Sequence, residues 1–340
     1  MIEKKFTGII YAFKIPELIN YVRSVNQNKN IGINFIEIDF KNLENSNQIN
    51  LLDGLSNVAE VKELGSALWK NLNNEAIKKS DFWTTSAENL LTATMYVLIK
   101  KHPKKATVSH ALAILLSYNP TELIDLISED TQASGLIRSL KSAMELGAEK
   151  QVAGTLGTVQ NYISVLNTPE IFWVLSGEKM PIPNNPENPC VFLLGNDSTL
   201  YETYSPIIAM IITATIRKMN KPDMAKSMVV LDELPTIFIP SLETLPATSR
   251  SNKISVIAGV QDISQLVDKY GKDKTDIILS NLGSQFFGRS SLEKTAKYIS
   301  DLFGQFDQLF TGSSSGTSYG SQTSRSENES KSYQQRSRIK

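Results

Sequence analysis

Short apolar runs alternate with helix-length segments at both ends of this chain, and that alternation commits it to a parallel sheet covered by helices. Residues 8–13 (Gly-Ile-Ile-Tyr-Ala-Phe) and 31–40 read as strands. Between them, residues 16–25 place Leu18, Ile19, Val22 and Val25 at helical spacing. Cys190–Gly195 is continuously apolar, as a strand covered on both faces is. A helix is predicted over 206–219, with further strands at 228–231, 254–260 and 285–287. From about residue 55 to 175 the strand signal disappears. Helices are predicted there over 86–101, 107–116, 120–127, 132–155 and 157–166. Four prolines within 181–189 then mark a boundary. The expected organisation is an α/β sheet begun in residues 1–55, interrupted by an all-α insertion over 56–180, and resumed over 185–310. Residues 311–340 are rich in Ser, Gly, Thr and Gln, with Tyr319, Tyr333 and Ile339 the residues able to pack. They read as a flexible polar tail ending in basic Arg336, Arg338 and Lys340.

The 41% apolar content supports a sizeable core, and 35 acidic residues balance 35 basic ones. There is no global basic field, so nucleic-acid binding would need a local patch. Cys190 is the single cysteine, so disulfides play no part, and with two histidines beside it a structural zinc site is not expected. The longest apolar stretch, 206–216, is about half the ~20 residues a membrane span needs and reads as a buried helix. The basic pair near the N-terminus is followed by no apolar core, so no signal peptide is expected.

The chemistry concentrates where the run Met228-Val-Val-Leu231 ends in Asp232-Glu233. A buried strand delivering two carboxylates to its tip has the form of a Walker B strand in a P-loop motor. There Asp232 would hold Mg²⁺ through a water and Glu233 would polarise the attacking water. Read alone, such a pair also fits a solvated strand end. The next strand runs into Gln261, whose amide can donate to and accept from phosphate and water, the position of a γ-phosphate sensor. The alternative for Gln261 is a cap or loop residue. Arg250, before that strand, and Arg289, after Phe286-Phe287-Gly288, could each stabilise charge on a transferring phosphoryl group, in this or a neighbouring subunit. Each could equally form a surface ion pair. Lys14 follows the first strand and reads best as a solvated loop lysine, while Trp69, Trp83 and Trp173 read as core rather than base-stacking residues. No Gly-x-x-x-x-Gly-Lys-Ser/Thr phosphate loop occurs in the 340 residues; Gly271-Lys272 is followed by Asp273.

These residues resemble the ATPase domain of type IV secretion coupling proteins, the TraG/TraD family, and in detail its Bacteroidetes mobilisation branch. The resemblance rests on Asp232-Glu233, Leu245-Pro-Ala-Thr-Ser-Arg250, residues 256–266 with Gln261 and Gln265, Lys269-Tyr-Gly271 and Phe287-Gly-Arg289. Phe82-Trp83-Thr-Thr-Ser-Ala-Glu-Asn-Leu-Leu91 resembles the family's all-α insertion, and residues 8–18 resemble the strand that follows the P-loop helix. It implies a RecA-like P-loop NTPase sheet with a large all-α inserted domain. It further implies a homo-hexameric motor, anchored at the cytoplasmic face of the bacterial inner membrane, using ATP and Mg²⁺. Such a motor recruits relaxase and other relaxosome proteins and moves DNA, without sequence preference, into the secretion channel. By the same resemblance Asp232 is metal ligand, Glu233 catalytic base, Gln261 sensor, and Arg250 or Arg289 arginine finger.

The chain departs from the family in two ways: the membrane helices and Walker A loop are absent, and Ala12 stands where the family usually has Asp. It therefore looks like a piece of a longer motor. Without loop amides and a lysine around the phosphates, this chain alone is expected to lack tight ATP binding and ATPase activity. Two other readings stand beside the motor: a non-catalytic relaxosome- or substrate-binding module, and a decayed gene fragment without a stable fold.

Overall fold

Five strands, β1 (Thr7–Ala12), β2 (Asn34–Ile38), β3 (Cys190–Gly195), β4 (Ser227–Leu231) and β5 (Ile254–Ala258), form one all-parallel sheet in the order β2-β3-β1-β4-β5. The computed structural model describes residues 2–79, 81–289, 293–318 and 324–337. Strands far apart in sequence sit side by side because each is an apolar run whose backbone groups need neighbours on both flanks. In register, Tyr11 lies beside Leu194 on one side and Leu231 on the other, and Leu231 lies beside Ala258. All strand ends therefore fall on one rim. Gly8 lets β1 and β4 close. Its φ is +127°, and a β-carbon there would stand 2.0 Å from the Met228 carbonyl oxygen.

Helix α1 (Glu17–Asn28) covers one face of the sheet, packing Ile19 and Val22 on Ile10, Ala12, Val191 and Leu193. The other face carries Ile9, Tyr11, Phe192 and Leu194 against the larger core. That core is built from the long helix of residues 201–219 and nine helices that precede β3: α2 (Val58–Leu72), α3 (Glu75–Lys78), α4 (Phe82–Lys101), α5 (Val108–Ser117), α6 (Pro120–Ser128), α7 (Thr131–Leu136), α8 (Arg138–Glu145), α9 (Glu149–Ile163) and α10 (Pro169–Val174). Polar caps start many of these helices, with Asn57 and Glu60 forming a capping box on α2, and Asn119 and Glu122 one on α6. The long helix is α11 (Tyr201–Met219), buried continuously from Tyr204 to Ile216. Among the described residues no helix is long and apolar enough to cross a membrane. After β4 come α12 (Leu245–Ser249), α13 (Ile263–Tyr270), α14 (Lys272–Asn281) and α15 (Glu293–Phe303).

At the sheet's far end β5 pairs only with β4 among the described residues. After buried Ile254 its residues alternate between exposure and partial cover, and Ile257 is 47% exposed.

The chain divides into two units: residues 1–261 with 265–283, and residues 262–264 with 284–340. The sheet and the helices of 58–174 share the first. In the second, α15 precedes an antiparallel ladder of β6 (Gln305–Ser318) and β7 (Ser324–Ser337).

Several sequence expectations change. The helix expected over 132–155 is three helices, broken after Leu136 and again at Gly147, whose φ of +73° no helix accommodates. Helix α11 begins at Tyr201 and carries Pro206 within its first turns, not at its start. Residues 285–287 are not a strand, and Phe286 is 96% exposed. The tail expected to be flexible forms most of the β6–β7 ladder, held by backbone pairing between the two strands. Tyr319, Arg338, Ile339 and Lys340 lie outside the described residues. Trp69 is fully buried and Trp173 packs on the core, but Trp83 is 47% exposed, edge-on to Phe82.

Candidate functional site

The C-terminal ends of β4 and β5 bring Asp232, Glu233 and Gln261 together. The Gln261 Nε2 donates to Glu233 Oε2 at 2.7 Å. Asp232 is exposed and Glu233 half-buried, so both carboxylates reach solvent at the rim. Asp232 is fixed through its backbone, its N–H donating to the Tyr11 carbonyl at 3.1 Å, an extension of the β1–β4 ladder.

Glu233 leaves the strand in the left-handed region, at φ 56° and ψ 57°, a conformation that costs a side chain-bearing residue energy and concentrates at functional sites. Neighbours hold it there. The Leu234 N–H donates to the Gly259 carbonyl at 2.8 Å, and the Gly259 N–H to the Leu231 carbonyl at 2.8 Å. The Glu233 carbonyl accepts from the Thr236 N–H at 3.0 Å and from its hydroxyl at 2.7 Å. At Gly259 even a methyl would reach within 3.5 Å of the Asp232 carboxylate and 3.4 Å of the Glu233 nitrogen, so a larger side chain would crowd the pair.

Beneath the carboxylates lies a polar group that the sequence did not single out. The Tyr11 hydroxyl is 2.8 Å from Thr236 Oγ1, and Asn196 Nδ2 donates to the Tyr11 hydroxyl at 3.2 Å and to Ser205 Oγ at 2.9 Å. Burial pushes the Tyr11 phenol up to about 12, with the hydrogen bonds it makes with Asn196 and Thr236 opposing the shift and the Asp232 and Glu233 carboxylates adding to it. The phenol stays protonated at any physiological pH. Ser205 and Thr236 also line a cavity of about 370 Å³ whose other walls include Asn71, Asn161 and Tyr162 from the helical region. The one local signal that could have pointed to this group is the hydroxyl three residues after Glu233, a residue type that bonds nearby backbone in side-chain turns.

The segment after the carboxylates is anchored to the helices. Asn71 pairs with both backbone groups of Phe238, each at 2.7 Å, imitating a strand neighbour. The Tyr270 hydroxyl accepts from the Ile239 N–H at 3.0 Å and donates to the Ile237 carbonyl at 3.1 Å. Arg217 of α11 bridges Glu60 and Glu63 of α2, tying the helical region to the sheet's own helix.

Arg250 is not part of this cluster. Arg250 follows α12 and precedes β5, so it is exposed on the rim where the strand begins, the opposite rim from Gln261. Arg289 is exposed in the second unit. Lys14 is exposed and 3.9 Å from Glu17, a solvated pair. Among the described residues no group of three or more His, Cys, Asp and Glu side chains could hold a metal ion.

Comparison with known proteins gives one family match: residues 226–339 match the model described as the TraM recognition site of TraD and TraG. No curated protein sequence matches the chain. Solved structures match over most of the fold. The bacterial conjugative coupling protein TrwBΔN70, unbound, has a TM-score of 0.62 at 14% identity, covering 95% of this chain and 76% of that one. The plasmid coupling protein TrwB with ADP and Mg²⁺ gives 0.55 at 13% identity, covering 81% and 68%. TrwB with the non-hydrolysable GTP analogue GDPNP gives 0.57 at 12%, covering 88% and 74%. The sheet with its helical insertion is thus a RecA-like NTPase fold. Residues 226–339 are thus similar to the TraM recognition site of TraD and TraG, and the fold as a whole is similar to that of the TrwB coupling protein.

Proposed function

We propose that this chain carries the carboxylate half of a nucleotide site in a conjugative DNA-transfer motor. The observation that carries the reading is the 2.7 Å bond from Gln261 to Glu233, beside Asp232, on the rim where β4 and β5 end. Coupling of a strand-tip carboxylate to an amide on the adjacent strand lets a sensor and a base respond to one phosphate.

The donor set fits Mg²⁺ arriving with a nucleotide. That ion keeps several waters and takes one or two carboxylates together with phosphate oxygens, and it needs no all-protein cage. When bound it would supply charge neutralisation on the phosphates. Asp232 would hold its hydration shell; Glu233 would orient the attacking water and take its proton; Gln261 would hold Glu233 and report the terminal phosphate. The ADP–Mg²⁺ complex of TrwB supports nucleotide and metal as ligands of this fold. Arg250, on the opposite rim, would serve the site of a neighbouring copy, and Arg289 is the alternative. Assembly as a hexamer at the inner membrane, and DNA as salt-sensitive, sequence-independent cargo, belong to the same reading.

No phosphate loop occurs in the chain, so by itself it would bind ATP weakly and turn over none. The open flank of β5 lies beside Gln261 and suits a further parallel strand bringing such a loop. The test is a fusion that places the strand, P-loop and helix of a coupling protein ahead of residue 1. Mg²⁺-dependent ATP turnover by the fusion, lost in Glu233→Gln, is the expected result. Turnover indifferent to Glu233→Gln, or a folded fusion without turnover, would refute the site.

A second reading has its own observation, the match to a TraM recognition site over residues 226–339. On that reading the chain docks relaxosome proteins without using ATP, and capture of a purified relaxosome protein by the isolated chain in the absence of nucleotide tests it.

A further inference from the structure

The hydroxyls and amide beneath Glu233 form a chain whose direction can be deduced. Thr236 Oγ1 has one proton and lies 2.7 Å from the Glu233 carbonyl, which can only accept. The Thr236 proton therefore points at Glu233. Its oxygen must then accept from its other partner, the Tyr11 hydroxyl at 2.8 Å. The Tyr11 proton being so used, its oxygen accepts from Asn196 Nδ2 at 3.2 Å. The Asn196 amide cannot be turned round, because its Oδ1 accepts the Asp197 N–H at 2.9 Å while Nδ2 also donates to Ser205. Each donor along the line Asn196, Tyr11, Thr236 points toward the Glu233 carbonyl, and bonds aligned in this way polarise and strengthen one another. Tyr11 and Asn196 are fully buried, so water does not compete for the bond between them.

Three strand ends meet in this line, β3 through Asn196, β1 through Tyr11 and the turn after β4 through Thr236. It terminates on the one residue of the cluster whose backbone is strained. Resting on the reading of Asp232, Glu233 and Gln261 as a site, we propose that Tyr11 and Thr236 are positioning residues that hold Glu233 in its left-handed turn and thereby aim its carboxylate at Gln261. Neither side chain touches a reacting atom; both act through the Glu233 carbonyl.

The test reads the Gln261 side-chain amide by ¹⁵N–¹H NMR on the chain without nucleotide. Its outcome is thus separable from that of the nucleotide reading. The Nε2 proton bound to the Glu233 carboxylate should lie downfield of its geminal partner, and Glu233→Ala, which removes the acceptor, supplies the baseline separation. Thr236→Val and Tyr11→Phe should each reduce the separation by half or more, toward that baseline, while Thr236→Ser, which keeps the hydroxyl, should restore it. Thermal unfolding is measured alongside, and loss of stability with an unchanged Gln261 signal would show a merely structural role and overturn the proposal. A wild-type separation equal to the Glu233→Ala baseline would overturn it too. Should Thr236→Val fail to fold, Tyr11→Phe, which removes one oxygen from an otherwise unchanged ring, decides alone.

Discussion

Replacing Glu233 by alanine and by glycine separates the backbone's contribution from that of the side chain. Both variants lose the carboxylate and the bond from Gln261, so those effects cancel between them. What remains is the conformation at φ 56° and ψ 57°. A β-carbon in the left-handed region costs about 1–2 kcal/mol, which glycine escapes. Against this, glycine loses more chain entropy on folding, roughly 0.5–1 kcal/mol relative to alanine. The difference favours glycine by roughly 0–1.5 kcal/mol, centred on ~0.75, the reverse of the usual order in regular structure. Urea unfolding of the two variants, compared at equal slope, measures it. Glu233→Gly should show the higher midpoint. If Glu233→Ala equals or exceeds it, the turn is unstrained, and the argument that neighbours must hold Glu233 in place fails with it.

Gly8→Ala should destabilise the chain by about 3 kcal/mol or more, because the added carbon meets the Met228 carbonyl at 2.0 Å and β1 and β4 must part; a urea midpoint within error of wild type would contradict this. Lys269 gives a pH dependence. Burial pulls its ammonium down to about 8, opposed by Asp268, whereas an unfolded lysine titrates near ~10.4. Between these values the unfolded chain holds a proton that the folded chain has released, so stability should rise with pH. Tyr11 and Cys190 are shifted upward, so each makes stability fall as pH passes its unfolded value. The measurement is therefore the difference between wild type and Lys269→Met, which should climb from pH 8 to 10; a flat difference curve removes the claim.

The strands were legible because a parallel sheet demands apolar runs, and 190–195 or 228–231 can be little else. Their order was not. Nothing local to residues 228–231 or 254–258 says that these two strands are neighbours, yet the contact between Gln261 and Glu233 depends on it. The helical region was legible as helix but not in its breaks, since Gly147 reads as one tolerated glycine until its backbone turns left-handed. Trp83 misled because position among leucines does not tell which side of a helix start faces water. Residues 285–287 misled because β propensity alone does not make a strand. The positioning line was hidden for a different reason: Tyr11 and Thr236 lie 225 residues apart and have no shared pattern. A tyrosine in an apolar strand reads as core, and here it is both core and polar.

The length of β5 stands between Arg250 and Gln261, with Glu233 on the Gln261 side. On the proposed reading this turns subunit mixing into a genetic test. A copy with Arg250 removed keeps an intact carboxylate rim, and a copy carrying Glu233→Gln keeps an intact arginine rim. With both copies carrying the fused phosphate loop, each would be inert among its own kind, yet a mixed assembly would rebuild a whole site wherever the arginine of one meets the carboxylates of the other. Two alleles that each fail alone would then complement, as no pair of lesions within one self-contained site can.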